Sequence, residues 1–214
     1  AMTVLSVNLN KVALIRNSRD TRIPSPLEFA ATAIEAGAGG ITVHPRPDQR
    51  HIRVTDCYDL ASSLAVEFNL EGNPFAPRMP SDRDGIATYP GFMALVEATR
   101  PAQVTLVPDT NAQLTSDHGF DLSQDAERLA PIIASLKAMG CRVSLFMDPE
   151  PKSMSAAAEI GADRVELYTE SYAVAHAAGH FERVLCQFSE AAVAAHDAGL
   201  GINAGHDLNL TNLP

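Results

Sequence analysis

The sequence predicts an α/β fold built on parallel strands. Short β-rich runs alternate strictly with helical stretches along the whole chain. The runs are rich in Val, Leu and Ile and only partly alternating, as strands buried on both faces are. Polar residues collect at the C-terminal ends of the runs, where parallel α/β folds place their chemistry.

The elements follow in order. Strand runs are read at Val4–Asn8, Gly40–His44, Val66–Glu71, Gln103–Val107, Arg142–Met147, Arg164–Tyr168 and Gly201–Ala204. Helical stretches are read at Pro26–Ala36, Asp56–Ala65, Pro90–Thr99, Ser123–Met139, Lys152–Ile160 and Phe181–Ala198. Ser25-Pro26, Tyr89-Pro90 and Ser123 supply a cap or a first-turn proline. Gly37, Gly140, Gly161 and Gly199 stand where a helix ends in the left-handed region. Strict alternation means parallel strands. A doubly wound open sheet is the alternative. No Gly-rich dinucleotide turn follows the first run, and polar residues mark many strand ends rather than one switch point. The predicted architecture is therefore a TIM (β/α)8 barrel. Residues 1–214 form one catalytic domain, with the eighth βα unit expected to be missing from the chain.

The 214 residues are 46% apolar and suffice for one sizeable core. A net charge of −10 argues against a nucleic-acid partner, since phosphate backbones need clustered Lys and Arg. Small phosphate esters stay open, because a few local Arg and His residues bind them. Cys57, Cys141 and Cys186 lie far apart, with neither a disulfide framework nor a zinc spacing. No long apolar run reaches membrane length, and a cytoplasmic location is expected.

The strand ends carry Asn8, Asn10 and Lys11, then His44 and Arg46, then Asn69 and Glu71. Further along come Asp109, Asp148, Glu166, Thr169, Asn203, His206 and Asp207. His44 and Glu71 are the acid–base candidates, because imidazole titrates near neutrality and a carboxylate in a barrel mouth is raised toward it. His206 follows a Gly-bearing turn that frees its backbone to aim the ring. Arg46, Arg50 and His51 crowd one loop and fit a phosphate clamp; an ion-paired surface loop beside Asp48 is the competing reading. The long segments 72–89 and 109–122 are lid candidates, with the polar run Thr115–Gly119 able to close on a ligand.

At these residues the chain resembles the pyridoxine 5'-phosphate synthase family. The matching segments are 6–19, 40–51, Glu67–Glu71, Leu106–Asp109, Val143–Asp148, Val165–Thr169 and Gly201–Leu208, one at each strand end in order. The resemblance implies condensation of 1-deoxy-D-xylulose 5-phosphate with 3-amino-2-oxopropyl phosphate to pyridoxine 5'-phosphate, phosphate and water. The substrates form a Schiff base with each other, so no metal and no organic cofactor is implied. By the same resemblance Glu71 and His44 are proton acceptors and His206 is the proton donor. Asn8, Arg19 and Asp207 fall where the family binds the aminoketone phosphate. Asn10, Lys11, Arg46, His51 and Thr115 fall where it binds the deoxyxylulose phosphate. A homo-oligomer, an octamer, is implied as well. Lys11 stands where a His is frequent, and Asp207 where a Gly is frequent. The family also continues into a further helix and an eighth strand whose end binds phosphate. Two other classes are weighed against this reading. A metal-dependent barrel hydrolase would use His44, Glu71 and His206 as ligands. A degenerate barrel kept as a binding subunit would not turn over.

Overall fold

Runs of Val, Ile and Leu bury on both sides of a parallel sheet, and the computed structural model shows this directly. It describes residues 3–19, 21–110 and 112–213. The elements are β1 (Ser6–Asn8), α1 (Asn10–Asn17), α2 (Pro26–Glu35), β2 (Gly40–Val43), α3 (Val54–Ser63), β3 (Glu67–Gly72), α4 (Phe92–Thr99) and β4 (Gln103–Leu106). They continue with α5 (Leu122–Ala138), β5 (Arg142–Met147), a 3-10 turn (Pro151–Ser153) running into α6 (Met154–Glu159), β6 (Arg164–Tyr168), α7 (Glu170–Ala177), α8 (Glu182–Asp197) and β7 (Gly201–Gly205). The seven strands lie in the sheet in chain order. β2 and β4 are buried at every position, whereas β1 and β7 are partly exposed.

The described residues divide into two compact units. The first runs to Thr105 and adds Asp109–Leu114 and Met139–Cys141. Here β1 pairs in parallel with β2, and β2 with β3, with Thr42 opposite Asn69 and Val43 opposite Leu70. Ile41, Val43, Leu60, Leu70, Leu95 and Val96 form its fully buried apolar centre. The second unit holds Leu106–Pro108, Thr115–Ala138 and Arg142 onward. Its strands β5, β6 and β7 pair in parallel, with Glu166 opposite both Phe146 and Asn203. Leu129, Leu136, Val143, Leu145, Val165 and Ala191 are buried there without measurable exposure.

Five differences from the sequence reading have local causes. Val4 and Leu5 precede β1 and are exposed at 70% and 61%. Asn10 and Lys11 open α1 rather than a loop; the N-cap is Leu9, whose side chain offers no cap bond and so leaves no start signal. α4 begins at Phe92, because Tyr89 is held extended by paired backbone bonds of 2.9 Å to Met79 and Gly91 turns the chain at φ +98°. α5 starts one residue early because Asp121, not Ser123, caps it: its carboxylate accepts from Ser123 N–H and Oγ. α7 starts straight after Thr169, where no helix was read. The four C-terminal glycines hold as read, with φ from +83° to +102° at Gly37, Gly140, Gly161 and Gly199. Among the described residues no helix is long and apolar enough to cross a membrane.

Candidate active site

In the first unit the site grows from the ends of β1, β2 and β3. Asn8 Oδ1 accepts the Asn10 N–H at 2.8 Å, which fixes the entry into α1. Asn10 Oδ1 in turn accepts the backbone N–H of His44 at 2.9 Å. The first residue of α1 and the first beyond β2 are thereby tied together. Lys11 is exposed in the first turn of α1 and Arg19 is exposed just past its end. Neither side chain makes a hydrogen bond or ion pair among the described residues.

Below His44 and Glu71 runs a belt of hydrogen bonds. Ser6 Oγ and Thr42 Oγ1 lie 2.7 Å apart. Asn69 Nδ2 donates to Thr42 Oγ1 at 3.2 Å, and Asn69 Oδ1 accepts from Thr105 Oγ1 at 3.0 Å and from Gln103 Nε2 at 3.3 Å. Side chains two apart share a strand face. Glu71 therefore shares a face of β3 with Asn69. The register runs from Gly40 opposite Glu67 to Val43 opposite Leu70, and His44 and Glu71 are the next residues along their chains. The buried belt ties together the strands that carry the two acid–base candidates.

His44 is buried, and burial pushes its pKa well below 6.5, with Arg46, His51 and Arg50 adding to the effect. It is a neutral imidazole, ready to accept a proton. His51 lies with its ring centroid 6.4 Å from that of His44. Its pKa falls to about 4, through burial first and then Arg46 and Arg50. His51 Nδ1 accepts the Ile52 N–H at 2.8 Å, so the neutral ring carries its proton on Nε2. In the clamp expected from this loop, His51 therefore offers a neutral N–H donor rather than a cation.

Both guanidinium groups of the loop have protein partners. Arg46 is buried against Asp109 at 2.6 Å and donates to the carbonyls of Thr110 and Gln113, each at 3.3 Å. Arg50 donates to Asp48 at 2.8 Å and to Gln113 O at 2.8 Å. Arg50 thus shows the ion pair with Asp48 that competed with the clamp. Arg46 takes a strand-end carboxylate as partner, which local composition did not suggest. Arg16 and Asn17, also unassigned from sequence, hold this loop from α1. Arg16 forks onto Asp56 at 2.5 and 2.9 Å and donates to His51 O at 3.0 Å, while Asn17 Nδ2 donates to the carbonyls of Arg50 and His51.

In the second unit the site forms after β6 and β7. His206 lies 3.0 Å from Thr115 Oγ1 through Nε2 and 2.5 Å from Asp207 Oδ2 through Nδ1. Three predicted residues therefore meet at one ring. Tyr168 meets that ring edge-on, centroids 5.0 Å apart, and its hydroxyl donates to Glu170. The Thr115–Gly119 segment is anchored at its end: Gly119 N–H donates to Asp148 Oδ1 at 3.3 Å, and a Cβ at Gly119 would stand 2.5 Å from Met147 Cα. His118 is exposed and paired with Asp117.

Glu166 had no assigned role in the sequence reading, yet its carboxyl is strongly perturbed. Burial pushes its pKa up to about 7. Gly205 makes its room, since a Cβ there would stand 2.6 Å from Glu166 Oε1. The signal was present as a lone Glu inside the apolar run Val165–Tyr168. A carboxyl raised above its unfolded value of 4.5 keeps its proton in the folded state, so its stabilising contribution is full below about 4.5 and lost as pH rises through about 7. Glu166→Gln is permanently neutral. It is expected to gain on the parent protein between about pH 5 and pH 8, by an amount on the order of 1 kcal/mol. His44 and His51 respond in the opposite sense, losing stability as pH falls from 6.5, but they are common to both proteins and cancel in the difference. Urea midpoints at the two pH values read it; a difference independent of pH would sink the assignment.

Imidazoles and carboxylates set at the strand ends of a parallel α/β fold define a class: an enzyme fold equipped for proton transfer on small polar ligands. The comparisons narrow this. Residues 5–214 match the family described as pyridoxal phosphate biosynthesis protein PdxJ, and the chain belongs to that family. It is 56% identical over 214 residues to the pyridoxine 5'-phosphate synthase of Xanthomonas campestris pv. campestris (strain B100), covering 99% of this chain and 81% of that one. The synthase of Xylella fastidiosa (strain 9a5c) is 52% identical over 215 residues, covering 99% and 80%. Among solved structures a dihydropteroate synthetase matches at a TM-score of 0.46 and 17% identity, over 97% of this chain and 89% of that one.

Proposed function

We propose that this chain catalyses the pyridoxine 5'-phosphate synthase reaction. It condenses 1-deoxy-D-xylulose 5-phosphate with 3-amino-2-oxopropyl phosphate, giving pyridoxine 5'-phosphate, inorganic phosphate and water. The observation that carries the reading is the 56% identity to named synthases across almost the entire chain. The site chemistry supports it. Ring closure around imines and enols needs repeated proton transfer in a water-poor site. His44, neutral because it is buried, and Glu71, near the end of β3, serve as proton acceptors. His206 serves as proton donor. Asn10, Lys11, Arg46, His51 and Thr115 bind the deoxyxylulose phosphate, His51 through a neutral N–H. Asn8, Arg19 and Asp207 bind the aminoketone phosphate. The enzyme is of the transferase class and works without metal or organic cofactor.

The reading extends to the whole molecule. Strands in unbroken chain order support the TIM barrel over a doubly wound sheet, in which the order reverses at a switch point. Residues 1–214 act as one catalytic domain. Exposed Leu14 and Ile15 on α1, with Phe29 on α2, support assembly into a homo-oligomer, an octamer. Three free cysteines support a cytoplasmic location.

One purified sample tests this. Turnover of the two substrates is expected in the presence of a strong chelator, from a particle whose mass by light scattering exceeds that of the chain. No pyridoxine 5'-phosphate would overturn the function. Activity lost to the chelator and restored by one divalent ion would favour the hydrolase-like alternative, and a monomer would overturn the assembly.

A further inference from the structure

His206 is held through both ring nitrogens. Nδ1 faces Asp207 Oδ2 at 2.5 Å and Nε2 faces Thr115 Oγ1 at 3.0 Å. A carboxylate only accepts hydrogen bonds, so the ring proton sits on Nδ1 in the neutral form. Nε2 is then the nitrogen that exchanges a proton, and the Thr115 hydroxyl holds its place until a substrate group takes over.

Neighbouring residues in an extended chain point their side chains apart. Here φ is +92° at His206 and +58° at Asp207, and this turn brings the carboxylate round to the ring before it. Such backbone is rare for residues other than Gly. It persists where the surroundings over-determine it, and they do so here. Thr169 Oγ1 donates to the carbonyls of Gly205 and His206, and Thr169 N–H donates to Gly205 O at 3.1 Å. Asn212 Nδ2 donates to Asp207 O at 3.1 Å. Asn212 is itself fixed, accepting from Asn209 N–H at 2.7 Å and from the Tyr172 hydroxyl at 2.8 Å. Three successive carbonyls are thus gripped by side chains, and Tyr168 supports the ring edge-on.

We propose that Asp207 is a positioning residue for His206: it fixes the Nδ1–H tautomer and aims Nε2 at the reacting substrate. The inference rests on the reading of His206 as proton donor. It also refines the expected contact of Asp207 with a phosphate ester. A carboxylate repels a phosphate dianion, so only the Asp207 backbone N–H suits that role. Other ionisable groups lie near. Asp117 is paired with His118, Glu170 accepts from Tyr168, and Glu166 stands against Gly205. Both ring nitrogens are already taken, Nδ1 by Asp207 and Nε2 by Thr115. Asp207 is therefore the carboxylate that sets its tautomer, as the orienting carboxylate does in a Ser-His-Asp triad.

The test uses the full chain and the variants Asp207→Gly, Asp207→Asn and His206→Gln. Glycine tolerates the left-handed backbone, so Asp207→Gly is expected to fold; Asp207→Asn keeps the side-chain shape in any case. Nitrogen-15 chemical shifts of the imidazoles, with His206→Gln giving the assignment, report the tautomer. The parent protein is expected to show the proton on Nδ1. Asp207→Gly is expected to lose this preference and to lower kcat by at least about tenfold with little change in KM. Asp207→Asn, which still presents one oxygen to Nδ1, is expected to fall between them. Unchanged kcat with an unchanged tautomer in Asp207→Gly would overturn the proposal. So would a raised KM at constant kcat, which marks a binding role alone. A fully active His206→Gln would instead overturn the donor reading, whereas an inactive one beside a normal Asp207→Gly would overturn only the positioning role.

Discussion

Glu71→Gln is expected to lower kcat by about two to four orders of magnitude, the usual cost of removing a general base. The amide matches the carboxylate in size and accepts hydrogen bonds, but it cannot take up a proton. Glu71 lies near the end of β3, two residues beyond Asn69, whose amide joins three strands. Because Glu71→Gln changes neither the size of the side chain nor its capacity to accept, the fold is expected to survive. His44 is also expected to remain a neutral acceptor, because its low pKa comes first from burial and then from neighbouring Arg46, His51 and Arg50. The change should therefore appear in kcat, with far-ultraviolet circular dichroism and urea midpoint close to those of the parent protein. Turnover near the parent rate would remove Glu71 from the mechanism and leave His44 as sole acceptor in the first unit.

The strands were legible because burial on both faces leaves a composition that few other elements share. β5 and β6 match their predicted bounds residue for residue. Helix ends were legible where glycine marks a left-handed turn. Two helices were not. α1 follows β1 with a leucine at the N-cap, and its run Val12–Ile15 is apolar without a helical period. α7 opens directly on the strand-end residue Thr169. The candidate site divides the same way. Side chains at strand ends announce themselves by position, which is how His44, Glu71 and His206 became candidates. Their partners do not. Asp109 is 63 residues from Arg46, and Asp56 is 40 residues from Arg16. Such pairs are set by which loops the fold brings together, and local spacing carries no trace of them. The directions of the shifts at His51 and Glu166 were equally hidden, because burial decides them.

Asp56→Ala is expected to destabilise the protein by about 3–5 kcal/mol, as breaking one side of a buried ion pair does. Arg16 sits in the last turn of α1 and Asp56 in the first turn of α3, so each charge also complements its own helix dipole. Asp56 Oδ2 further accepts the Arg53 N–H at 2.7 Å, satisfying a backbone group at the start of α3. Removing the carboxylate strands a guanidinium on a side chain that is only 5% exposed. The energy lost reflects that stranded charge more than the net worth of the pair. A double replacement, Arg16→Met with Asp56→Leu, is therefore expected to recover much of the stability, since well-packed apolar groups often equal a buried pair. Function should not recover with it. Arg16 Nη2 also holds His51 O at 3.0 Å, and so steadies the loop that carries Arg46, Arg50 and His51. The double variant is expected to fold yet to show a raised KM for the phosphorylated ketose, which separates the stability role of the pair from its hold on the loop. Urea unfolding with an unchanged slope reads the first effect, and steady-state kinetics the second. A loss below about 1 kcal/mol in Asp56→Ala would mean that Arg16 finds water or another acceptor once the carboxylate is gone. A double variant with unchanged KM would mean that the Asn17 contacts to Arg50 and His51 hold the loop by themselves.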